Sequence, residues 1–490
     1  TFAFVLSLRE GIALHNRIAV AQVPLLGHAV VRSQLGSSVH PDPWMPMVQA
    51  VIRGSDPGAG QDIVLTAHLQ EGQQSVNDDA SGCASLLEIG RALTRLIADG
   101  HLPRPRRTIR FWWTTENNSE PRYFADHPEI LKRLWVDINQ DMVGADQSID
   151  VMRTQNVFRV PASRFHFLND VAEAVIDYMV AGNTANITQY RNGYGLYTRP
   201  HLAHNGSQQR YNAQTVWFEG DSDHDSFLNA GIPAIGFGNE PDRFIHSNLD
   251  DLWGIDRTQL GRNAASAALI AYTMASAGSQ TLDAIAGEVV GRGGARLARN
   301  VGLALQLIAA SSDKTAAYYA ALGQVHYAAA RERRALTSVG EISADAAGRV
   351  APLIDALDRR AAEYLRVLDA AYARATGLPS AAPERAPPLT LSAEEQELES
   401  VRPVVVGTPA DFYAHRDAIS SGDALNGYLS QEILNAIDGK RTGLDLYRHA
   451  ASMIREAGTQ YYGTADPKAV LALLRSAAQS TLYRLDKVTR

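Results

Sequence analysis

The sequence predicts an α/β fold with a mixed, mostly parallel sheet flanked by helices, followed by an α-helical C-terminal extension. Two patterns carry this prediction. Several short apolar runs end in a polar residue, as buried strands do at the carboxyl edge of a parallel sheet. From residue 283 to 375, by contrast, apolar residues recur every three or four positions, which is typical of amphipathic helices.

The first apolar run, Ile63 to Ala67, predicts a buried strand that delivers His68 at its carboxyl end. A loop of small polar residues containing Asp78 follows. The loop leads into a predicted helix with apolar residues at Leu86, Ile89 and Leu93. Because ligand sites of open α/β sheets lie at the carboxyl edge, we expect His68 and Asp78 to face one site.

Three further segments place polar residues at the same edge. The β-branched and aromatic run Thr108 to Thr115 ends in Glu116, and the run Trp135 to Ile138 leads to Asp141. A last histidine, His246, follows the final predicted strand on a loop. Zinc binds imidazole nitrogen and carboxylate oxygen, so these residues together predict a two-zinc hydrolase site. Its expected ligands are His68, Asp78, Glu116, Asp141 and His246.

The ordered motifs between about Gln49 and Ala275 resemble those of the zinc-dependent aminopeptidase family with a co-catalytic two-metal site. That family also includes glutamate carboxypeptidase and, as a one-zinc relative, glutaminyl cyclase. The resemblance rests on N-D-x-A-S-G, here starting at Asn77, on N-x-D-M-x-G, here starting at Asn139, and on S-D-H-x-x-F, here starting at Ser222.

The resemblance implies a zinc aminopeptidase-like fold and a role for each ligand. Asp78 would bridge two zinc ions. His68 and Asp141 would complete the coordination of one ion, and Glu116 and His246 that of the other.

The chain departs from the family at the supporting residues. The family usually has H-x-D, in which the aspartate orients the zinc-bound histidine; here Gln70 takes that place. An amide oxygen can still accept the imidazole N–H, so we expect weaker metal binding. Asp223 is expected to hold its local turn beside the site, and Asp250 and Asp251 are expected either to cap the helix from Asp256 or to fix His246 by a hydrogen bond.

The second departure concerns the general base. The family has two adjacent glutamates, a base and then a ligand, whereas this chain has Thr115-Glu116, and threonine cannot act as a base near neutral pH. In one alignment Glu116 is the ligand, and the base is lost or supplied by Glu120 or Asp225. In the other, Glu116 is the base and Asn117 takes the ligand's place. We prefer the first, because it retains five good ligands.

The expected function is that of a zinc metallopeptidase, an aminopeptidase or small-peptide exopeptidase that uses a metal-activated water. A missing base would instead give a slow enzyme or a pseudoenzyme with an intact metal scaffold, and a one-zinc glutaminyl cyclase-like acyltransferase is the other alternative. The formal net charge of -7 without a basic stripe does not suggest nucleic acid as a partner. No apolar stretch predicts a membrane span, and the single Cys83 excludes an internal disulfide.

Composition shifts predict five regions. By the family resemblance, residues 1–45 are interpreted as the remnant of a lid-like β domain that such proteins often carry, with a strand at 2–6, and residues 46–280 as the metallopeptidase-like domain. A helical region at 281–377, a Pro-rich linker at 378–392 and a small helical or winged-helix-like domain at 393–490 follow. The helical C-terminal region suits packing or a homodimer. We expect a secreted or periplasmic bacterial protein, although no signal peptide is visible.

Overall fold

The computed structural model describes residues 8–21, 47–71, 75–149, 153–191, 211–378, 386–407, 419 and 425–488. A seven-stranded sheet lies at the centre of the first half of the chain. Its strands are β1 (Val48–Ile52), β2 (Asp62–His68), β3 (Ile109–Thr114), β4 (Leu134–Gln140), β5 (Thr154–Phe158), β6 (Ala213–Val216) and β7 (Ala234–Glu240).

The sheet has the order β1-β3-β2-β4-β7-β5-β6. Strands β3, β2, β4 and β7 run parallel to one another, whereas β1 pairs antiparallel with β3 and β5 antiparallel with β7. All residues of β2, β3 and β4 are buried, as expected for strands covered on both faces. The predicted mixed, mostly parallel sheet is confirmed.

Helices flank both faces of this sheet. They are α2 (Gly82–Ala98), α3 (Ser119–Asp126), α4 (Leu168–Arg191), α5 (His224–Asn229) and α6 (Arg257–Ser276), and a further helix, α1 (Leu8–Ala21), precedes β1 in the chain. Adjacent tryptophans of β3 show the two faces, since Trp112 packs against Phe124 of α3 and Phe227 of α5. Trp113 points the other way and donates its indole N–H to the backbone oxygen of Cys83 in α2, at 3.2 Å.

The predicted helical extension is also present. Three long helices pack on one another: α7 (Leu282–Ala310), α8 (Lys314–Val339) and α9 (Ala346–Thr376). The C-terminal segment, residues 393–490, contains α10 (Ala393–Ser400), β8 (Val401–Val405), α11 (Gly427–Asn435), α12 (Gly443–Ala457), α13 (Thr459–Tyr462), α14 (Pro467–Gln479) and β9 (Tyr483–Lys487). Strands β8 and β9 form an antiparallel pair.

A buried charge network joins the extension to the sheet domain. The Arg296 guanidinium of α7 forms ion pairs with Asp170 of α4 at 2.6 Å and with Glu332 of α8 at 2.7 Å. All three side chains are nearly inaccessible to solvent. A second guanidinium, Arg331 of α8, lies 2.7 Å from Glu332, so both carboxylates have a cationic partner where the three helices meet.

The predicted division into domains stays a prediction. Within residues 1–45 the structure describes helix α1, while the strand expected at 2–6 lies outside the described residues. The expected linker at 378–392 precedes α10, and its residues 379–385 also lie outside the described residues. Among the helices that are described, none combines the length and apolar character needed to cross a bilayer.

Candidate metal centre

The predicted ligands meet at the carboxyl edge of the parallel strands. His68 is the last residue of β2, Glu116 follows β3 by two residues, and Asp141 follows β4 directly. Asp78 lies in the turn Val76–Ser81 before α2, where its own backbone is not helical, and His246 lies on the loop after β7. Parallel strands end at one edge of a sheet, which is why local sequence patterns placed these residues together.

Asp78 lies between the two histidines. Its Oδ1 is 3.2 Å from His68 Nε2, and its Oδ2 is 3.0 Å from His246 Nε2. The Asp78 side chain is 5% exposed, whereas that of His246 is 64% exposed. One carboxylate oxygen therefore faces each imidazole, the arrangement expected of a carboxylate shared by two neighbouring cations.

His68 and Asp141 form the buried side of the centre. Asp141 Oδ2 lies 3.6 Å from His68 Nε2 and accepts a hydrogen bond from Ser222 Oγ at 2.7 Å. Burial lowers the pKa of His68, but the carboxylates of Asp141, Asp78 and Asp79 outweigh it and raise the pKa. The negative charge gathered here is the kind that a bound cation would balance.

His68 is oriented by a backbone group. Its Nδ1 lies 2.9 Å from the backbone oxygen of Gln70. The expectation that the Gln70 side-chain amide accepts from the imidazole is wrong, because Gln70 Oε1 instead accepts the backbone N–H of Glu116 at 2.7 Å. A carbonyl oxygen is a common partner for the second nitrogen of a metal-binding histidine, so the orientation survives the loss of the family's aspartate.

Two neighbouring residues after β3 reach the centre. The Glu116 carboxylate groups with His68 and Asp141, with one ligand atom of each within 4.8 Å of the others. Burial raises the pKa of the Glu116 carboxyl group to about 8. The nearby His68 lowers this pKa, whereas the neighbouring carboxylates of Asp141, Asp223 and Asp78 raise it further. Asn117 has a positive φ of 53°, and its side-chain Oδ1 is buried without a hydrogen-bond partner in the described chain.

A cavity lies over this centre, and the other candidates for the general base do not line it. Thr115 is held by a hydrogen bond from its backbone N–H to Ser119 Oγ at 2.9 Å. Glu120 is fully buried, and burial together with Asp223 raises the pKa of its carboxyl group. Asp225 accepts the backbone N–H of Asp221 at 3.1 Å. Glu116 and Asn117 are thus the residues of this segment that face the cavity.

Asp250 and Asp223 support the centre through backbone groups. Asp250 accepts the N–H of Asn77 at 2.8 Å and that of Asp78 at 3.0 Å, so it fixes the turn that carries Asp78. The helix α6 is capped by Asp256, which accepts from the Thr258 N–H, and not by Asp250. Asp223 accepts the hydroxyl of Thr114 at 2.6 Å and the N–H of Asn117 at 3.0 Å.

Gly82 lets the start of α2 approach β4. A Cβ at this position would lie 1.9 Å from the backbone oxygen of Gln140. The Gly82 N–H is bound by Asp79 Oδ1 at 2.9 Å, which also accepts from the Met142 N–H at 3.2 Å. The N-D-D-A-S-G motif therefore packs directly against the segment that carries Asp141.

The donor set fits zinc. Two buried oxygens of the centre, Asn117 Oδ1 and Asp141 Oδ1, form no hydrogen bond within the described chain, and His68 Nε2 faces the carboxylates of Asp78 and Asp141. Buried polar atoms are rarely left unsatisfied, so such oxygens at a centre that also offers an imidazole nitrogen suit a cation. Glu71, which the sequence did not single out, forms a second group with His68 and Asp78 within 4.8 Å, and it is exposed.

A cavity of ≈ 340 Å³ lies over this centre. Asp78, Glu116, Asp141 and His246 line one side, and no lysine or arginine is among its described lining residues. The opposite side has further acidic residues and a tyrosine from α11, none of which the sequence analysis identified. They are Glu219, Asp221, Glu240 and Tyr428.

Residues 48–271 match the model of peptidase family M28. This segment is an M28 peptidase domain. The family predicted from the sequence motifs is confirmed for this part of the chain, and the M28 domain contains all five predicted ligands. A comparison with the sequences of curated proteins finds no match.

The M28 domain is also similar to parts of solved structures. An aminopeptidase from Aneurinibacillus sp. strain AM-1 is 21% identical, with a TM-score of 0.33 and 47% of this chain and 48% of that chain covered. A zinc aminopeptidase from Bacillus subtilis is 19% identical, with a TM-score of 0.34 and 46% and 49% covered. A glutaminyl cyclase from Macrostomum lignano is 16% identical, with a TM-score of 0.34 and with 46% of this chain and 70% of that chain covered. This chain thus spans less than half the length of the two aminopeptidases.

Proposed function

We propose that the M28 domain is a zinc-dependent peptidase that binds two zinc ions and removes terminal residues from small peptides. The observation that carries this proposal is the position of Asp78, whose two carboxylate oxygens face His68 and His246 at the floor of the cavity. A cavity of ≈ 340 Å³ is at the small end of the range for ligand pockets, which suits one or two residues at a peptide end.

The residues divide between two ions. His68, Asp78 and Asp141 would hold the buried ion, and Asp78 and His246 the more exposed one. We assign Asn117 Oδ1 to the position of the missing carboxylate ligand, because this oxygen is buried, unpaired and on the cavity wall. The alignment that the sequence favoured, with Glu116 as that ligand, is therefore set aside in favour of the other one.

Glu116 is then the general base. Its carboxylate lines the cavity and groups with His68 and Asp141, whereas Thr115 and Glu120 do not face this space. Bound zinc supplies a Lewis acid for the peptide carbonyl and lowers the pKa of a coordinated water. Glu116 accepts the proton of the attacking water and returns it to the leaving amine. Gln70 holds both His68 and the Glu116 backbone in place.

Substitutions at positions 116 and 117 test this assignment. Glu116→Gln should keep both zinc ions and lower turnover of aminoacyl-nitroanilides by about 10²- to 10⁴-fold. Asn117→Ala should weaken the exposed zinc site, and Asn117→Glu should strengthen it. Thr115→Glu should give no gain in turnover, since this side chain does not line the cavity. If Glu116→Gln lost a zinc ion while Asn117→Ala kept both, Glu116 would be the ligand after all.

The neutral Asn117 favours one second candidate. An amide oxygen is a weaker zinc ligand than a carboxylate, and the His246 side of the centre is exposed, so a one-zinc site would suit a glutaminyl cyclase-like acyltransferase. Cyclisation of a peptide with N-terminal glutamine at one zinc per chain, without hydrolysis of nitroanilides, would support that candidate. Zinc binding without either reaction would indicate a pseudoenzyme.

A further inference from the structure

A second cavity, here called the junction cavity, lies where the M28 domain, α8 and the C-terminal segment meet. Its volume is ≈ 310 Å³, at the small end of the range for small-molecule pockets. The M28 domain lines it with Arg164, α8 with Arg334, and the C-terminal segment with Asn435 and Arg441. Among the described residues, none lines both this cavity and the one over the metal centre. The junction cavity is therefore a separate candidate site.

Two arginines of the junction cavity, Arg164 and Arg334, form no ion pair within the described chain. Arg164 donates one N–H to the backbone oxygen of Leu228 at 2.8 Å, whereas the Arg334 side chain forms no hydrogen bond with any described residue. Both side chains remain accessible to solvent. Because a guanidinium carries five N–H donors, most donors of these two groups are available to a ligand.

The two carboxylates that line the junction cavity are engaged elsewhere. Asp438 lies 3.1 Å from Arg441 Nε and accepts the backbone N–H of the same residue at 2.9 Å. Glu341 accepts the indole N–H of Trp135 at 2.7 Å and lies 3.2 Å from His166 Nε2. Neither carboxylate forms an ion pair with the two accessible guanidinium groups.

The arginines around the junction cavity act on one another and on a buried histidine. Burial lowers the pKa of Arg334, and the guanidinium groups of Arg441 and Arg164 lower it further, against the pull of nearby carboxylates. Burial also lowers the pKa of His449 to about 3, and Arg441 and Arg334 add to this shift. Like charges in a partly desolvated place repel one another, and a bound anion would relieve that repulsion.

An independent observation adds an uncharged donor to the same cavity. Asn435, the last residue of α11, lines it, and its side-chain Nδ2 is buried without a hydrogen-bond partner in the described chain. Buried polar atoms are rarely left unsatisfied, and an amide nitrogen can only donate, so this position requires an acceptor. An amide donor beside guanidinium groups is the chemistry that binds an oxyanion.

We propose that the junction cavity binds the phosphate group of a small organic phosphate through Arg164, Arg334 and Asn435. Arginine N–H groups match the spacing of phosphate oxygens, and donors from three separate elements suit a tetrahedral group better than a planar carboxylate. The organic part lies against apolar lining residues such as Val160 and Leu228. Such a ligand ties the M28 domain to the helical extension, and its binding does not depend on the proposed peptidase function.

Titration calorimetry of the full chain with inorganic phosphate tests the site. Arg334→Gln should weaken phosphate binding about 10- to 100-fold, because it removes charge-assisted hydrogen bonds and no contact within the described chain. Asn435→Asp is nearly isosteric but replaces the amide donor by a carboxylate, so it should also weaken binding. The matched control is Arg333→Gln on the same helix, which pairs with Asp358; neither residue lines the cavity, and phosphate binding should stay nearly unchanged.

Two further titrations identify where phosphate binds and which anion the site prefers. Phosphate also binds zinc, so the Asp78→Ala chain should retain phosphate binding and its sensitivity to Arg334→Gln. Succinate, a dicarboxylate, should bind more weakly than phosphate at equal ionic strength. The absence of saturable binding, equal losses in Arg333→Gln and Arg334→Gln, or loss of binding in Asp78→Ala would overturn the site. Succinate binding as tight as that of phosphate would refute the assignment to a phosphate group.

Discussion

Replacing Glu432 by alanine should destabilise the contact between α11 and the M28 domain. The substitution removes the acceptor of two buried backbone N–H groups, at Ala162 and Ser163, which lie 2.8 and 2.9 Å from the carboxylate oxygens. Each buried donor left unpaired costs about 1 to 3 kcal/mol, so two cost about 2 to 6 kcal/mol. Burial raises the pKa of Glu432, and relief of this desolvation offsets part of the loss. We therefore expect a net loss of about 2 to 4 kcal/mol.

Hydrogen exchange at the amides of Ala162 and Ser163 measures this loss locally, which matters because a chain with several units need not unfold in one step. Both amides should exchange faster in Glu432→Ala. Glu363→Ala, an exposed carboxylate of α9, is the matched control and should leave both unchanged. A loss below about 0.5 kcal/mol with unchanged exchange would refute the reasoning.

Two further predictions concern the metal centre and pH. Asp250→Asn should loosen the turn that carries Asp78 and lower zinc affinity by about 10- to 100-fold, as measured by competition with a chelator. The control variant Asp251→Asn should leave zinc affinity unchanged. Equal zinc affinities of the two variants would contradict the role of Asp250. Burial and three nearby arginines lower the pKa of His449 from 6.5 to about 3. Between these two pH values His449 is protonated in the unfolded chain but neutral in the folded one, so the free energy of unfolding falls as the pH drops from 6.5 toward 3. His449→Phe should flatten the melting temperature across this range relative to wild type, and identical profiles would count against the buried neutral imidazole.

The strand ends were predictable from the sequence because their signal is local. An apolar run that stops at His68, or one that leads to Asp141, identifies both a buried strand and the residue at its carboxyl edge. Parallel pairing then brings these edges together without further information. The helices of the extension were equally visible, since their apolar periodicity extends over many turns.

The roles of the residues after β3 were not predictable in this way. Whether Thr115, Glu116 or Asn117 faces the cavity depends on a turn in which Asn117 adopts a positive φ, and apolar periodicity carries no signal for this. The sequence favoured Glu116 as a ligand because that alignment retains five residues that bind zinc well. The structure adds which side chains reach the cavity.

Long-range polar contacts were also invisible. Asp250 binds the backbone at Asn77 from 173 positions away, and Tyr428 binds Asp221 from 207 positions away. Each contact exists only after separate elements have packed, so neither has a local pattern. The metal ligands at strand ends can therefore be predicted from a single sequence. The groups that orient these ligands, or that complete the cavity wall, cannot.

Zinc content tests the central claim, that Asp78 is shared by two metal positions, most directly. Purified full chain reconstituted with zinc and freed of excess should contain about two zinc ions by elemental analysis. Asp78→Ala should lose both together, because the two dications would then face each other without an intervening anion, while Glu363→Ala should retain both. Wild type with no bound zinc, or Asp78→Ala with undiminished zinc, would contradict the account.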